Sequence, residues 1–302
     1  MHGLYPPGSG PASMPHNIQP VAIFSADRNA DTLLYAYKNC PQLKVLNKMD
    51  QAGEDWLSMS SKYSTLLSSL TDIFGRTISL KDVTAVLNII HGESIHNRPS
   101  LAGVTQSMMD TMHEIANFVF HRKFYTREMG KLGAGLLVKD IRDRFNNTIS
   151  AHKTTQSKVD YRFILFSAHD GTLLALMSAL NLKHLEVPHY ASHFAFELYY
   201  DKSNSQYLIS VLYNDDRILL QECSSNSKSC LFEDWTSVIA DGIPLNWESE
   251  CGVPSKSVVS TSLYFYPHPI VLLLLGFIFG SLSIYLLVVT GKFSTKLTNK
   301  SM

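Results

Sequence analysis

The chain has 302 residues, 45% of them hydrophobic, enough to bury the core of a large α/β domain with a second lobe. Its 26 Lys and Arg balance 26 Asp and Glu, and no block of like charge occurs. That balance argues against nucleic acid as a partner and against electrostatic steering of a polyanion.

The opening MHGLYPPGSGPASMPHN has neither a basic n-region nor an apolar h-region, so it does not read as a signal peptide. From Glu54 to Tyr125, EDWLSMSSKYSTLLSSLTDIFG, SLKDVTAVLNII and SMMDTMHEIANFVFHRKFY carry apolar residues at spacings of three and four. This periodicity predicts a helical lobe, broken by HGESIHNRPSLAG. GKLGAGLLVKDIRDRFNNTIS is a further amphipathic helix, and Asn146 within it opens an Asn-Asn-Thr acceptor sequon. A polar linker, AHKTTQSKVDY, leads into Phe163–Ala168, a short apolar run expected to form a buried strand. Leu173, Leu174, Met177 and Leu180 then recur at helical spacing. HFAFELYYD and SQYLISVLYND flank the turn KSN as an antiparallel hairpin, with RILLQE as a candidate third strand. This mixed order predicts an α/β sheet with a helical cap inserted before its later half.

The C-terminal region has a different character. Ser257 through Gly291 contains no Asp, Glu, Lys or Arg. Within it Pro269–Thr290 is an apolar run of about twenty residues, enough at ~1.5 Å per residue to cross a ~30 Å hydrocarbon core. Tyr264, Phe265 and Tyr266 precede it as an interfacial cluster, and Lys292, Lys296 and Lys300 follow, which puts the short tail in the cytoplasm. Residues 1 to 260 would then be lumenal or extracellular. The four cysteines, Cys40, Cys223, Cys230 and Cys251, suit such a compartment, and CSSNSKSC reads as a small loop that a bridge can close. The tail KFSTKLTNKSM has no tyrosine-based sorting signal, so the cell surface or another endomembrane fits as well as the lysosome. A membrane span without a signal peptide leaves two readings: a tail-anchored cytosolic domain, or a sequence missing its natural beginning.

His169 and Asp170 sit between the expected strand and helix. In open α/β sheets ligands bind beyond the carboxyl ends of strands, where a helix N-terminus offers N–H groups and a positive dipole end to phosphate. There an imidazolium adds positive charge, and a carboxyl group beside a bound dianion becomes a usable general acid. A second reading fits equally well: Asp170 caps the helix and His169 hydrogen-bonds the backbone.

FSAHDGTLLALMSALN followed by PHYASHFAFELYY resembles the C-terminal signature of the histidine acid phosphatase family, particularly its prostatic and lysosomal types. LYPPGSG near the start, YKNCP at Tyr37–Pro41, GESIHN at Gly92–Asn97, the GKLGAGLLV helix, CSSNSKSC and WESEC ending at Cys251 extend the resemblance in one order. It implies a phosphoglycerate-mutase-like α/β core over residues 1–45 and 129–254 and a helical cap over 46–128. A linker (255–268), a transmembrane helix (269–290) and a cytoplasmic tail (291–302) complete the expected organisation.

The implied activity is two-step phosphomonoester hydrolysis through a phosphohistidine, with His169 as phosphate ligand, Asp170 as proton donor, and neither metal nor organic cofactor. The implied substrate is a small phosphomonoester or a phosphorylated protein, and homodimerisation is a family expectation. In the family pattern Cys40 pairs with Cys251 and Cys223 with Cys230, while Gly92 and His193 stand where a further cysteine pair would be.

The family nucleophile lies in an Arg-His-Gly-x-Arg-x-Pro motif. Here His2, Gly3 and Pro7 keep that register, but Met1 and Tyr5 occupy the arginine positions. LYPPGSG matches better to a family stretch downstream of the nucleophile, which leaves the first strand, the nucleophile and the phosphate-binding arginines absent. His91-Gly92 falls in the cap and is no substitute. The chain as given is therefore expected to be inactive, as a truncated acid phosphatase or, alternatively, as a catalytically dead binding or scaffold protein of the same fold. A metal-dependent phosphohydrolase would need further His and Asp ligands at matching helical positions, whereas His113 and His121 read as polar cap positions and His184 and His189 as loop residues.

Overall fold

A computed structural model describes residues 22–98, 103–154, 161–182, 187–218, 220, 223 and 229–254. The chain divides into two units, Met1–Val253 and Pro254–Met302. The apolar run 269–290 lies outside the described residues, as do His2 and His184. Among the described residues no helix is long and apolar enough to cross a membrane.

In chain order the helices are α1 (Ala36–Asn39), α2 (Pro41–Gln51), α3 (Glu54–Lys62), α4 (Ser64–Phe74), α5 (Val83–Ile95), α6 (Gln106–Lys123), α7 (Arg127–Lys153), α8 (Asp170–Ala179), α9 (Phe232–Ile239) and α10 (Trp247–Glu250). Their boundaries follow from side-chain chemistry. Pro41 opens α2, where its missing N–H costs nothing. Gly75 ends α4 in the left-handed conformation. Thr105 and Thr126 cap α6 and α7, their hydroxyls accepting the N–H of Met108 at 3.3 Å and of Met129 at 3.2 Å. The expected break at 91–103 begins later than the pattern suggests, because α5 continues through His91 and Gly92 to Ile95.

Four strands form the sheet: β1 (Phe194–Asp201), β2 (Gln206–Tyr213), β3 (Asp216–Ile218) and β4 (Cys230–Leu231). β1 and β2 make the expected hairpin, in register from Phe194 opposite Tyr213 to Asp201 opposite Gln206. β3 and β4 share the far edge of β2, also antiparallel. The expected strand at Phe163–Ala168 is not one: the segment has no ladder partner among the described residues. Apolar side chains favour burial, yet Phe163, Ile164 and Leu165 are 43%, 38% and 63% exposed. A strand needs a neighbour, and apolar composition alone does not supply one.

Two hydrophobic cores result. One gathers Tyr37, Leu43, Leu132, Val138, Leu176, Ile209 and Trp235, joining α1, α2, α7, α8, α9 and the sheet. The other gathers Leu70, Leu80, Val86, Met112 and Ile115 within the segment from α4 to α6. The 27-residue α7 is the central rod. It lies tightly along α8, since a Cβ at Gly130 would overlap the backbone of Ser178 and Ala179. α8 itself is buried nearly all round, at Leu174, Ala175, Leu176, Met177 and Ala179, as expected of a helix with little amphipathic character. Disulfides join Cys40 to Cys251 and Cys223 to Cys230.

Candidate active site

The chain runs from extended residues 163–168 directly into α8, with His169 at the N-cap position in extended conformation (φ −125°, ψ 163°) and Asp170 as the first helical residue. The reading in which Asp170 caps the helix is thus altered: the N-cap is the histidine. The Asp170 carboxylate accepts the N–H of Gly171 at 2.6 Å. The turn is anchored from below by Thr172, which is fully buried and donates its hydroxyl to the carbonyl of Leu34 at 2.6 Å. That bond ties α8 to the segment preceding α1, where Asp31 accepts the N–H groups of Leu33 and Leu34.

Three residues that sequence reasoning did not single out surround the pair. The Tyr35 ring meets His169 edge-on, centroids 5.2 Å apart, and Arg28 donates to the Tyr35 hydroxyl. Tyr37 packs against Gly171 so closely that a Cβ there would stand 2.6 Å from its ring. Burial first, then Tyr35 and the Asp170 carboxylate, push the Tyr37 hydroxyl well above its ordinary range. The Lys123 ammonium lies over the rings of Tyr37, Phe120 and Phe124 at 5.5, 5.9 and 5.8 Å. Burial and the neighbouring Lys38 lower its proton affinity, and Asp170 opposes them. No local sequence signal marks Lys123, which belongs to the basic end of α6.

His169 and Asp170 both line a cavity of ≈ 1770 Å³. One wall is the extended segment 161–168, and a second is the stretch 187–199 that includes the outer edge of β1. α7 contributes Ile141, Arg144 and Phe145, while α5 and α6 contribute His91, His113 and His121. Arg144 is held by Asp140 at 2.6 Å, and this bond raises its already high proton affinity. The structure therefore brings His169 and Asp170 together, and it adds His113, His121 and His189 to the same cavity, where the sequence suggested bland surface positions. Asn146 lies apart, exposed within α7. Among the described residues no group of three or more His, Cys, Asp or Glu is arranged to hold a metal ion.

Fold and site together define an α/β domain with a histidine–aspartate pair at a helix N-terminus facing a large cavity. Residues 1–214 match the model of the histidine phosphatase superfamily (branch 2), and the chain belongs to that family. It is 25% identical to prostatic acid phosphatase of Homo sapiens over 250 residues, 77% of this chain and 61% of that protein. It is 24% identical to lysosomal acid phosphatase of Xenopus laevis over 300 residues, 95% of this chain and 65% of that protein. The chain thus spans about three-fifths of the length of these curated relatives. A solved phytase from Citrobacter braakii matches with a TM-score of 0.44 and 13% identity, over 75% of this chain and 71% of that one.

Proposed function

We propose that this chain carries the phosphate-ligand and proton-donor half of a histidine acid phosphatase site acting on phosphomonoesters. The observation that carries the reading is the His169–Asp170 pair at the start of α8, open to the cavity. Phosphate seated there meets the positive end of α8, with the imidazole of His169 as a donor. A carboxyl group beside a bound dianion holds its proton more tightly, which suits Asp170 to protonate the departing alkoxide.

The attacking histidine and its arginines belong to a motif that these 302 residues do not contain. The segment 163–168 and the outer edge of β1 flank the cavity. The chain alone is therefore expected to bind phosphate without turning over. Calorimetry at pH 5 should register inorganic phosphate, weakened about tenfold by His169→Ala, while p-nitrophenyl phosphate is hydrolysed negligibly. A form extended by an Arg-His-Gly-x-Arg-x-Pro strand should turn over and lose about a hundredfold or more in kcat on Asp170→Asn. Phosphate binding indifferent to His169, or robust hydrolysis by the 302 residues alone, would sink this reading.

A second reading, a binding protein of the same fold, is favoured by the lack of an Arg-His-Gly-x-Arg-x-Pro motif in these 302 residues. We also propose that residues 269–290 anchor the domain in a membrane with residues 1–260 lumenal or extracellular, in keeping with the two disulfides. Release of the protein from membranes by alkaline carbonate would refute the anchor.

A further inference from the structure

Six of the twelve histidines line the same cavity, half of them from the helical lobe. His91 on α5 and His113 on α6 meet there across the seam between their helices, with ring centroids 5.2 Å apart and planes inclined by 35°. One turn away on each helix, Asn88 and Asn117 line the cavity as well. The spacings, three residues on α5 and four on α6, put each amide on the same face as its imidazole. Four nitrogen-bearing side chains thus converge on one patch of wall.

The charges around this patch favour an anion. Neither α5 nor α6 contributes a carboxylate to the cavity. Of the acidic groups on α6, Glu114 pairs with Lys62 at 3.0 Å and Asp110 accepts from Gln106 at 2.9 Å. The carboxylates that do line the cavity are Asp170 and Glu197, the latter accepting the hydroxyl of Tyr199. Facing them are the guanidinium groups of Arg144 and Arg162 and the imidazoles of His121, His169, His189 and His193. Two neighbouring imidazoles present ring N–H donors that one anion can bridge.

We propose that Asn88, His91, His113 and Asn117 form a second phosphate subsite, so that the preferred substrate is a small bisphosphorylated molecule. The proposal rests on the acid phosphatase reading for its first phosphate, held at His169, and assigns the second to the helical wall. Two imidazoles and two amides offer at least four donors, matching the three oxygens of a phosphate group better than the two of a carboxylate.

The test compares fructose 1,6-bisphosphate with fructose 6-phosphate, by calorimetry on the 302-residue chain at pH 5.5 and by NMR of the imidazole C–H resonances. The bisphosphate should bind about tenfold tighter or more, and His91→Gln with His113→Gln should erase that advantage while leaving fructose 6-phosphate affinity unchanged. The His91 and His113 resonances should move with the bisphosphate only. Equal affinity for the two sugars, or an advantage that survives the double variant, overturns the subsite. So does a response of these two resonances to Zn²⁺ with none to the bisphosphate. His169→Ala separates the two proposals: if it leaves fructose 6-phosphate binding intact, the acid phosphatase reading falls, while a bisphosphate preference dependent on His91 and His113 still carries the subsite.

Discussion

Gly171 follows Asp170 directly, and the ring of Tyr37 occupies the space where its side chain would be. Gly171→Ala sets two effects against each other. Alanine favours the helix by ~1 kcal/mol over glycine, but its Cβ would stand 2.6 Å from two ring carbons of Tyr37. Tyr37 cannot swing aside freely, being buried against Phe124 and lying beneath the Lys123 ammonium. The overlap should win, costing roughly 1–3 kcal/mol as other forced insertions do, and urea denaturation should show it as a lowered midpoint. A variant as stable as the parent would mean that Tyr37 is not clamped against the site. His169 and Asp170 stood out as candidates in the sequence because the change from an apolar run to helical spacing is a local pattern. Tyr37 and Lys123 did not, since their approach to Asp170 depends on how α1, α6 and α8 pack, and no spacing between residues so distant in the chain encodes it.

Elements were legible where their partners are near in sequence. The hairpin of β1 and β2 joins neighbouring segments through a four-residue turn, 202–205, so alternation and turn residues sufficed. The helical lobe from α3 to α6 was likewise visible as repeated spacing, because each helix buries one face on its neighbours. β4 escaped notice because two residues, Cys230–Leu231, carry no periodicity and owe their bridge to β2 to tertiary placement. Phe163–Ala168 shows the converse: its composition is that of a buried strand, but a ladder needs a second backbone. What the apolar run does reveal is a surface suited to cover, with Phe163 and Leu165 exposed beside the site.

At the scale of the whole molecule, the Cys40–Cys251 bridge joins the start of α2 to the end of α10 across a sequence separation of 211. Both cysteines are fully buried, and the N–H of Gln42 donates to the carbonyl of Cys251 at 3.0 Å beside them. The link therefore holds together ends of the domain that the unfolded chain would separate widely. In the chain-entropy picture closing so long a loop contributes about 5 kcal/mol, against about 2 kcal/mol for the loop of Cys223–Cys230. Set beside a typical total stability of about 5–15 kcal/mol, the first bridge is a large share and the second a modest one. Cys40→Ala with Cys251→Ala should lower the urea midpoint much more than Cys223→Ala with Cys230→Ala, and a phosphine reductant should reproduce the larger loss in the parent chain. Equal losses from the two pairs would mean that native packing around Cys251, including the Trp247 indole bound to the Leu132 carbonyl at 2.8 Å, outweighs the constraint on the unfolded state. A large loss on reduction also connects stability to compartment, because a fold that depends on this link is at a disadvantage wherever thiols are kept reduced.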